Sequence, residues 1–103
     1  MPSEPLKLWT VKDVVVMKGV IVLFPGLPRD FPHRIYVGDN IELRRPDGTR
    51  TSTVIAGIEH ARMLDGGSQW PLRLLVSIKE GDVPIGTEVW WVSSGTRQVR
   101  PIV

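Results

Sequence analysis

The alternation of apolar and polar positions is clearest around residue 41, where it predicts the first half of a β-hairpin. Within residues 35–45, Ile41 and Leu43 alternate with charged neighbours, which is the period of a strand with one buried face. The turn 46–48 follows, and Asp47 and Gly48 tolerate the backbone conformations that a chain reversal needs. The pattern predicts a strand that ends in a tight turn.

The return strand is predicted over residues 51–59. Val54, Ala56 and Ile58 form its expected inward set, with Thr53, Ile55 and Glu59 on the opposite face. Residues 37–39 precede the first strand and predict a tight corner.

A second hairpin is predicted by two apolar runs, residues 13–17 and 20–24, separated by Lys18 and Gly19. The first run is rich in valine, and β-branched side chains fit a pleated surface better than a helix. Two alternatives stay open for these strands. Either they are covered on both faces within the domain, or one face packs on a partner.

The remaining segments complete an all-β pattern. The predicted elements are an edge segment at 6–10, an ordered proline-rich loop at 25–33, one helical turn within 60–67, strands at 72–79 and 87–93, and an edge strand at 98–103. Short strands with frequent turns predict a small closed antiparallel β-barrel of about six strands. The 103 residues form one expected domain, with 1–5 as a loose lead-in and 94–103 as a C-terminal extension or edge strand.

Composition narrows the function only slightly. The net charge of +2 is too small to imply nucleic-acid binding by itself. The chain has no cysteine, which excludes disulfides, thiolate metal sites and cysteine nucleophiles. No signal-peptide pattern and no apolar run of membrane-spanning length occur, so we expect a cytoplasmic protein that does not bind a membrane.

The order of several short motifs resembles domain 2 of the translational GTPases, the β-barrel of elongation factor Tu and its relatives. The motifs are an Ile-x-Val-Gly-Asp corner at residues 35–39, a Gly-Ile-Glu-x-x-Arg segment at 57–62, a leucine-rich strand at 74–78 and a Gly-x-x-Val strand at 86–89. This resemblance covers roughly residues 11–92 and implies a barrel of that type. No glycine-rich loop ends in a lysine and a hydroxyl residue, so no nucleoside triphosphate site is expected.

The resemblance also implies a possible RNA site at Glu59 and Arg62. These residues match the segment that helps form the pocket for the terminal adenosine of tRNA in elongation factor Tu. A carboxylate can accept hydrogen bonds from a base or ribose, and an arginine can pair with phosphate. The alternative, which we favour, is a solvated ion pair at the end of a strand.

Arginines around the first predicted hairpin form a second candidate surface. Arg44, Arg45 and Arg50 flank its turn. Arg44 and Arg50 are expected on adjacent strands, where they would present a small anion-binding patch. Protection of an exposed strand and solubility explain the same residues equally well.

Aromatic residues give two further candidates. Arg29, His33 and Arg34 lie in or beside the proline-rich loop and suit either base stacking or a solvated loop, of which the second is favoured. Trp90 and Trp91 are neighbours on a strand and must face opposite sides, so one is expected in the core. The other would be an exposed anchor for a partner, unless Trp9 and Trp70 shield it.

Catalysis has little support in the sequence. His33 and His60 lack the ligand spacing of a zinc site and belong to no recognisable catalytic triad. We therefore expect no enzyme, no metal and no cofactor, with a histidine-based site as the weakest hypothesis. The expected function is a non-catalytic module that binds a protein, and the alternative is binding of tRNA or rRNA.

Overall fold

The computed structural model describes residues 4–28 and 30–95, and these residues form nine strands and one short 3-10 helix. The elements are β1 (Leu6–Thr10), β2 (Asp13–Met17), β3 (Val20–Leu27), β4 (Asn40–Arg44), β5 (Arg50–Val54), β6 (Gly57–Ile58), β7 (Ala61–Arg62), β8 (Ser68–Arg73), η1 (Glu80–Asp82) and β9 (Glu88–Ser93). The all-β prediction is confirmed.

The strands form two antiparallel sheets. The first has the order β1-β9-β4-β5, and the second has the order β2-β3-β8-β6, with β7 paired to the same side of β8. In the first sheet, Trp91 lies opposite both Leu6 and Ile41. In the second, Leu23 lies opposite both Val14 and Leu72. Directly opposed residues share a face, so these rows define the inner face of each sheet.

The chain crosses directly between the sheets at two corners. At one, the Val11 N–H donates to Thr87 while the Lys12 N–H donates to Phe24 in the other sheet. At the other, the Ile55 N–H donates to Asp39, and the next N–H donates to a carbonyl of β8. Strands that switch sheets in this way build corners between packed sheets. The predicted closed barrel of about six strands is therefore wrong for residues 4–28 and 30–95, which form nine strands in two sheets with no closed hydrogen-bonded barrel.

The core lies between the two inner faces. Leu23, Leu43, Leu72, Leu74 and Val89 are all completely buried. The core contains 15 buried apolar residues drawn from both sheets and from the corners. Each Å² of apolar surface that is buried contributes about 25 cal/mol of stabilisation, so this cluster is the main stabilising feature of the fold.

Both predicted hairpin turns are confirmed. The β4–β5 turn includes Gly48 at a φ of +89°, and the Asp47 carboxylate accepts hydrogen bonds from the N–H and hydroxyl of Thr49. In the β2–β3 turn, Lys18 and Gly19 have φ angles of +51° and +82°. Two successive left-handed residues match the twist of the paired strands.

The predicted return strand 51–59 is wrong in its inward set. Ile55 is 1% exposed and belongs to the core, whereas Val54, Ala56 and Ile58 are half-buried. The strand stops after Val54 because the chain changes sheets there, and this corner interrupts the alternation of faces. A pattern with a period of two cannot follow a strand around such a corner.

The segment after this corner also differs from the prediction. Residues 60–67 contain β7 and a hairpin turn instead of a helical turn. Strand β8 ends at Arg73, and Leu75 and Val76 are 42% and 60% exposed. The apolar alternation of residues 72–79 therefore marks a strand end followed by a loop. Sequence alternation reports side-chain type without showing where a pairing partner stops.

Strand β3 runs into the predicted proline-rich loop. Pro25 and Gly26 belong to the strand, where its register against β8 shifts between Leu23 and Leu27. A proline is tolerated at such an irregularity because the regular ladder is interrupted there. Gly26 has a φ of +87°, and a Cβ atom would collide with the backbone of Trp70. The predicted edge strand at 98–103 lies outside the described residues.

Candidate functional site

The outer face of the first sheet carries a continuous network of paired charges. We call it the charged network, and it consists of Lys7, Glu42, Arg44, Arg50, Glu88 and Trp90. Strands β1, β9, β4 and β5 place these side chains in adjacent rows, with Lys7 opposite Trp90 and Arg44 opposite Arg50. The predicted adjacency of the two arginines is confirmed.

Each charge in the network has an opposite charge beside it. Glu42 Oε1 lies 2.6 Å from Arg44 Nε and 3.3 Å from Arg50 Nη1. Lys7 Nζ lies 3.2 Å from Glu88 Oε2. A hydrogen bond from the indole of Trp90, with the ion pair to Lys7, lowers the pKa of Glu88. The predicted anion-binding patch thus has a carboxylate between its two arginines.

The two neighbouring tryptophans face opposite sides of the sheet, as predicted. Trp91 is 4% exposed and lies in the core. Trp90 is half-buried on the outer face, where the Arg44 guanidinium carbon stands 3.9 Å above its ring centroid. Its Nε1 donates to Glu88 Oε1 at 3.0 Å. Arg44 covers one side of the outer tryptophan, whereas Trp9 is buried in the core and Trp70 lies on β8 in the other sheet, so the alternative that these two shield it is not supported.

A buried carboxylate supports this sheet from the inside. Asp39 is 1% exposed, and its Oδ2 accepts hydrogen bonds from Trp91 Nε1 at 3.1 Å and from the Tyr36 N–H at 3.0 Å. Its Oδ1 accepts from the Gly95 N–H at 3.1 Å. Sequence reasoning identified the corner 37–39 but missed this role, because only the fold brings Trp91 and Gly95 to it.

Arg45 has a structural role in the described part of the chain. Its Nε donates to the carbonyl of Asp82 at 2.7 Å, and its terminal nitrogens donate to Thr49 and Thr51. These contacts hold the β4–β5 turn against η1. The guanidinium is thereby committed to the protein's own acceptors.

Glu59 and Arg62 are not paired with each other. Glu59 Oε1 lies 3.4 Å from Nε of Arg73, which stands on the neighbouring strand β8. Arg62 is exposed on β7, and its side chain forms no hydrogen bond or ion pair among residues 4–28 and 30–95. The favoured interpretation, an ion pair between Glu59 and Arg62, is wrong, because Glu59 pairs with Arg73 instead.

An aromatic stack includes His60, which lies two residues before Arg62. The ring of His60 stacks on Trp70 with a centroid distance of 4.3 Å, and His60 Nε2 lies 3.1 Å from Ser68 Oγ. A hydroxyl within hydrogen-bond distance of an imidazole is the arrangement that a serine nucleophile and its histidine base require. No carboxylate of the described residues hydrogen-bonds to this histidine, so nothing in this part of the chain orients it as in a triad.

The described part of the proline-rich loop agrees with the favoured interpretation of a solvated loop, since Phe31 packs against the core while His33 and Arg34 are exposed. Arg29 lies outside the described residues. His33 is exposed and packs edge-on against Phe31 with a centroid distance of 5.7 Å. Arg34 is exposed, and a hydrogen bond with the Tyr36 side chain raises the pKa of its guanidinium.

Part of the outer face of the second sheet is apolar, while Val22 on this face is 3% exposed and lies opposite the charged Arg73. We call this surface the apolar hairpin face, and it consists of Val15, Met17, Val20, Phe24 and Met63. The β2–β3 register places the first four side chains on the side away from the core residues Ile21 and Leu23. Met17 is 56% exposed and Met63 is 39% exposed.

A shallow pocket lies at one end of the apolar hairpin face. Its volume is about 240 Å³, and its lining residues are Lys12, Asp13, Val15, Phe24, Pro25, Met63 and Gln69. The pocket is mostly apolar with charged and amide groups at its margin. This arrangement resembles the centre and rim of a protein-binding surface.

The described residues contain no cluster of three or more histidines or carboxylates able to hold a metal ion. Across the same residues, no helix has both the length and the apolar composition needed to cross a membrane. Comparison of the chain with protein-family models, with curated proteins and with solved structures gave no match.

Proposed function

We propose that this chain is a non-catalytic, cytoplasmic module that binds a protein partner through the apolar hairpin face. The observation that carries the proposal is the contrast in pairing between the two outer faces. Polar groups on the first sheet contact one another, whereas the apolar hairpin face exposes Met17 and Met63. Exposed apolar surface of this kind is stabilised by burial against another molecule.

The chemistry of the face fits a protein better than a charged ligand. Methionine side chains adapt to irregular surfaces, which favours Met17 and Met63 as contacts. The adjoining pocket is large enough for one apolar side chain of a partner. Lys12 and Asp13 at its margin would set the orientation of the partner through polar contacts.

Trp90 is a weaker contact residue than the sequence suggested. Its indole N–H is occupied by Glu88, and Arg44 covers one side of its ring. A partner would have to displace both groups before using this tryptophan. We therefore assign the proposed protein-binding surface to the second sheet instead of to β9, the strand that carries Trp90.

Capture of partners from cell lysate tests the proposal when variants are compared. Met63→Lys places a charge in the apolar pocket, and Ile85→Lys makes the same kind of change at a 60% exposed residue that does not line the pocket. We expect a protein that resists nuclease and high salt, is bound by wild type and Ile85→Lys, and is lost at least tenfold with Met63→Lys.

Two results would overturn the proposal. One is a partner that is bound equally by wild type and Met63→Lys. The other is loss of every specific partner after nuclease treatment, because that result assigns the interaction to RNA.

RNA binding is the second candidate function, and the surroundings of Arg62 favour it. Arg62 is exposed beside the stack of His60 and Trp70, and cations next to aromatic rings suit single-stranded nucleic acid. The motifs at residues 35–39 and 57–62 support a related proposal, that the two joined sheets are a variant of the translation-factor barrel. That resemblance supplies the tRNA or rRNA class of ligand.

Binding of bulk tRNA at two salt concentrations tests this alternative. We expect the affinity for tRNA to fall steeply between 50 and 200 mM salt, by roughly tenfold for every two phosphate contacts. Arg62→Ala should weaken binding several-fold. Arg45→Ala is the control and should weaken binding less, because the Arg45 side chain is already bonded to Asp82 and Thr51. Equal binding by wild type and Arg62→Ala would remove this residue from the hypothesis.

A further inference from the structure

Among the described residues, the edge strands are β1 and β5 in the first sheet and β2, β6 and β7 in the second, and of these β2 is protected only by Asp13. Strand β1 has an irregular register beside Lys7, β6 is two residues long, and β5 begins with Arg50 and continues with hydroxyl residues. Strand β2 has five residues in regular register and the sequence Asp-Val-Val-Val-Met. Short length, bulges and charges are the usual means of preventing strand addition at an edge.

The register of the β2–β3 hairpin identifies the free backbone groups. Met17 and Val20 flank the two-residue turn, so the pairs that exchange hydrogen bonds with β3 alternate from them. The peptide groups of Val14 and Val16 consequently point away from β3. The Val14 N–H confirms this direction, because it donates to Asp13 Oδ1 at 2.9 Å rather than to β3.

We propose that the free edge of β2 pairs antiparallel with β2 of a second copy of this chain. A two-fold axis beside Val15 places this residue opposite Val15 of the second copy, and Val14 opposite Val16 of the second copy. In each of these pairs, the two side chains lie on the same face of the extended sheet. Both Val14–Val16 pairs then exchange backbone hydrogen bonds. The register centred on Val15 thus pairs all five residues of β2 with those of the second copy.

Asp13 limits this pairing. Its carboxylate accepts the Val14 N–H, which is one of the donors that the second copy needs. Two copies must therefore break an existing hydrogen bond on each side before all bonds across the edge can form. The expected association is weak, since an edge pairing also buries less surface than a standard stable interface.

The inference goes beyond the proposed function, because its partner is a second copy of this chain. It uses the backbone edge of β2, whereas Met63 follows β7, which pairs with β8. Met63→Lys should abolish capture of a different protein and leave self-association unchanged. Failure of one proposal is thereby distinguishable from failure of the other.

Sedimentation of the full chain over a wide concentration range tests the inference. Val16→Pro removes one outward N–H from each copy at a position that an edge strand tolerates. Val16→Thr keeps the N–H and the branched shape and serves as the matched control. We expect a concentration-dependent dimer for wild type and Val16→Thr. For Val16→Pro, we expect the dissociation constant of the dimer to be at least about tenfold larger.

Asp13→Ala gives a test in the opposite direction. It frees the Val14 N–H, so we expect dimerisation to tighten by roughly threefold to tenfold. This result supports the inference even if Val16→Pro fails to fold, which circular dichroism would show. Monomeric wild type and monomeric Asp13→Ala at millimolar concentration would overturn it, as would equal dimerisation of folded Val16→Pro.

Discussion

The outer faces of the two sheets differ in how their side chains are satisfied. On the first sheet, Glu42 lies between Arg44 and Arg50, and Arg44 covers Trp90. On the second, the apolar hairpin face exposes Met17, while Val22 on the same side of β3 is 3% exposed. The charged face of the first sheet therefore leaves fewer side chains available to a partner than the apolar hairpin face does.

This difference shows why counts of arginine and tryptophan mislead when a binding surface is sought. A charged side chain contributes to binding only when its own protein leaves it available, and paired surface ions gain little from a new partner. Apolar surface has no such internal alternative once the core is filled. The availability of each side chain separates the two faces better than residue type does.

The largest expected effect comes from removing the buried support of the first sheet. Asp39→Ala leaves the donors of Trp91, Tyr36 and Gly95 without this acceptor, so we expect a loss of on the order of 3 kcal/mol in the free energy of unfolding. Urea denaturation measures it. Asp39→Asn keeps one carbonyl oxygen and should lose less, and equal losses would contradict the assigned role of the carboxylate.

A smaller effect is expected from opening the charged network. Arg44→Ala uncovers Trp90 and leaves Glu42 with Arg50 alone, so we expect a loss of about 1 kcal/mol in unfolding free energy. Thermal or urea unfolding provides the measurement. The control is Arg50→Ala, whose side chain is 58% exposed and should cost at most about 0.5 kcal/mol.

The pH dependence of the same network gives a third prediction. Because Trp90 and Lys7 lower the pKa of Glu88, its contribution to stability is present above the unfolded value of about 4.3 and is lost as the pH falls through the folded value. The stability difference between wild type and Glu88→Gln should therefore shrink in acid. A difference that grew below pH 4 would contradict this assignment.

The smallest effect on stability is expected on the apolar hairpin face. Met17→Lys should change the unfolding free energy by no more than about 0.5 kcal/mol, because the side chain is 56% exposed. Urea denaturation would again measure it. A loss above about 1.5 kcal/mol would mean that Met17 packs within its own chain, and the contrast between the two faces would disappear.

Parts of the candidate site could be predicted from local sequence. Alternation placed Trp90 and Trp91 on opposite faces, and the turn at Asp47 and Gly48 placed Arg44 beside Arg50. Local rules could not identify Arg73 as the partner of Glu59, because that contact joins two strands whose pairing depends on the whole sheet. They also missed the stack of His60 on Trp70 for the same reason.

The sequence by itself determined the all-β class, the two tight hairpins and the apolar character of β2 and β3, because turn residues and β-branched runs act locally. It left two possibilities for that apolar hairpin, cover on both faces or a partner. Only the tertiary structure separated the two faces, burying Ile21 and Leu23 between the sheets while leaving Met17 in solvent. The reason is that burial depends on what packs against a strand, and the chain's corners decide that across long separations in sequence.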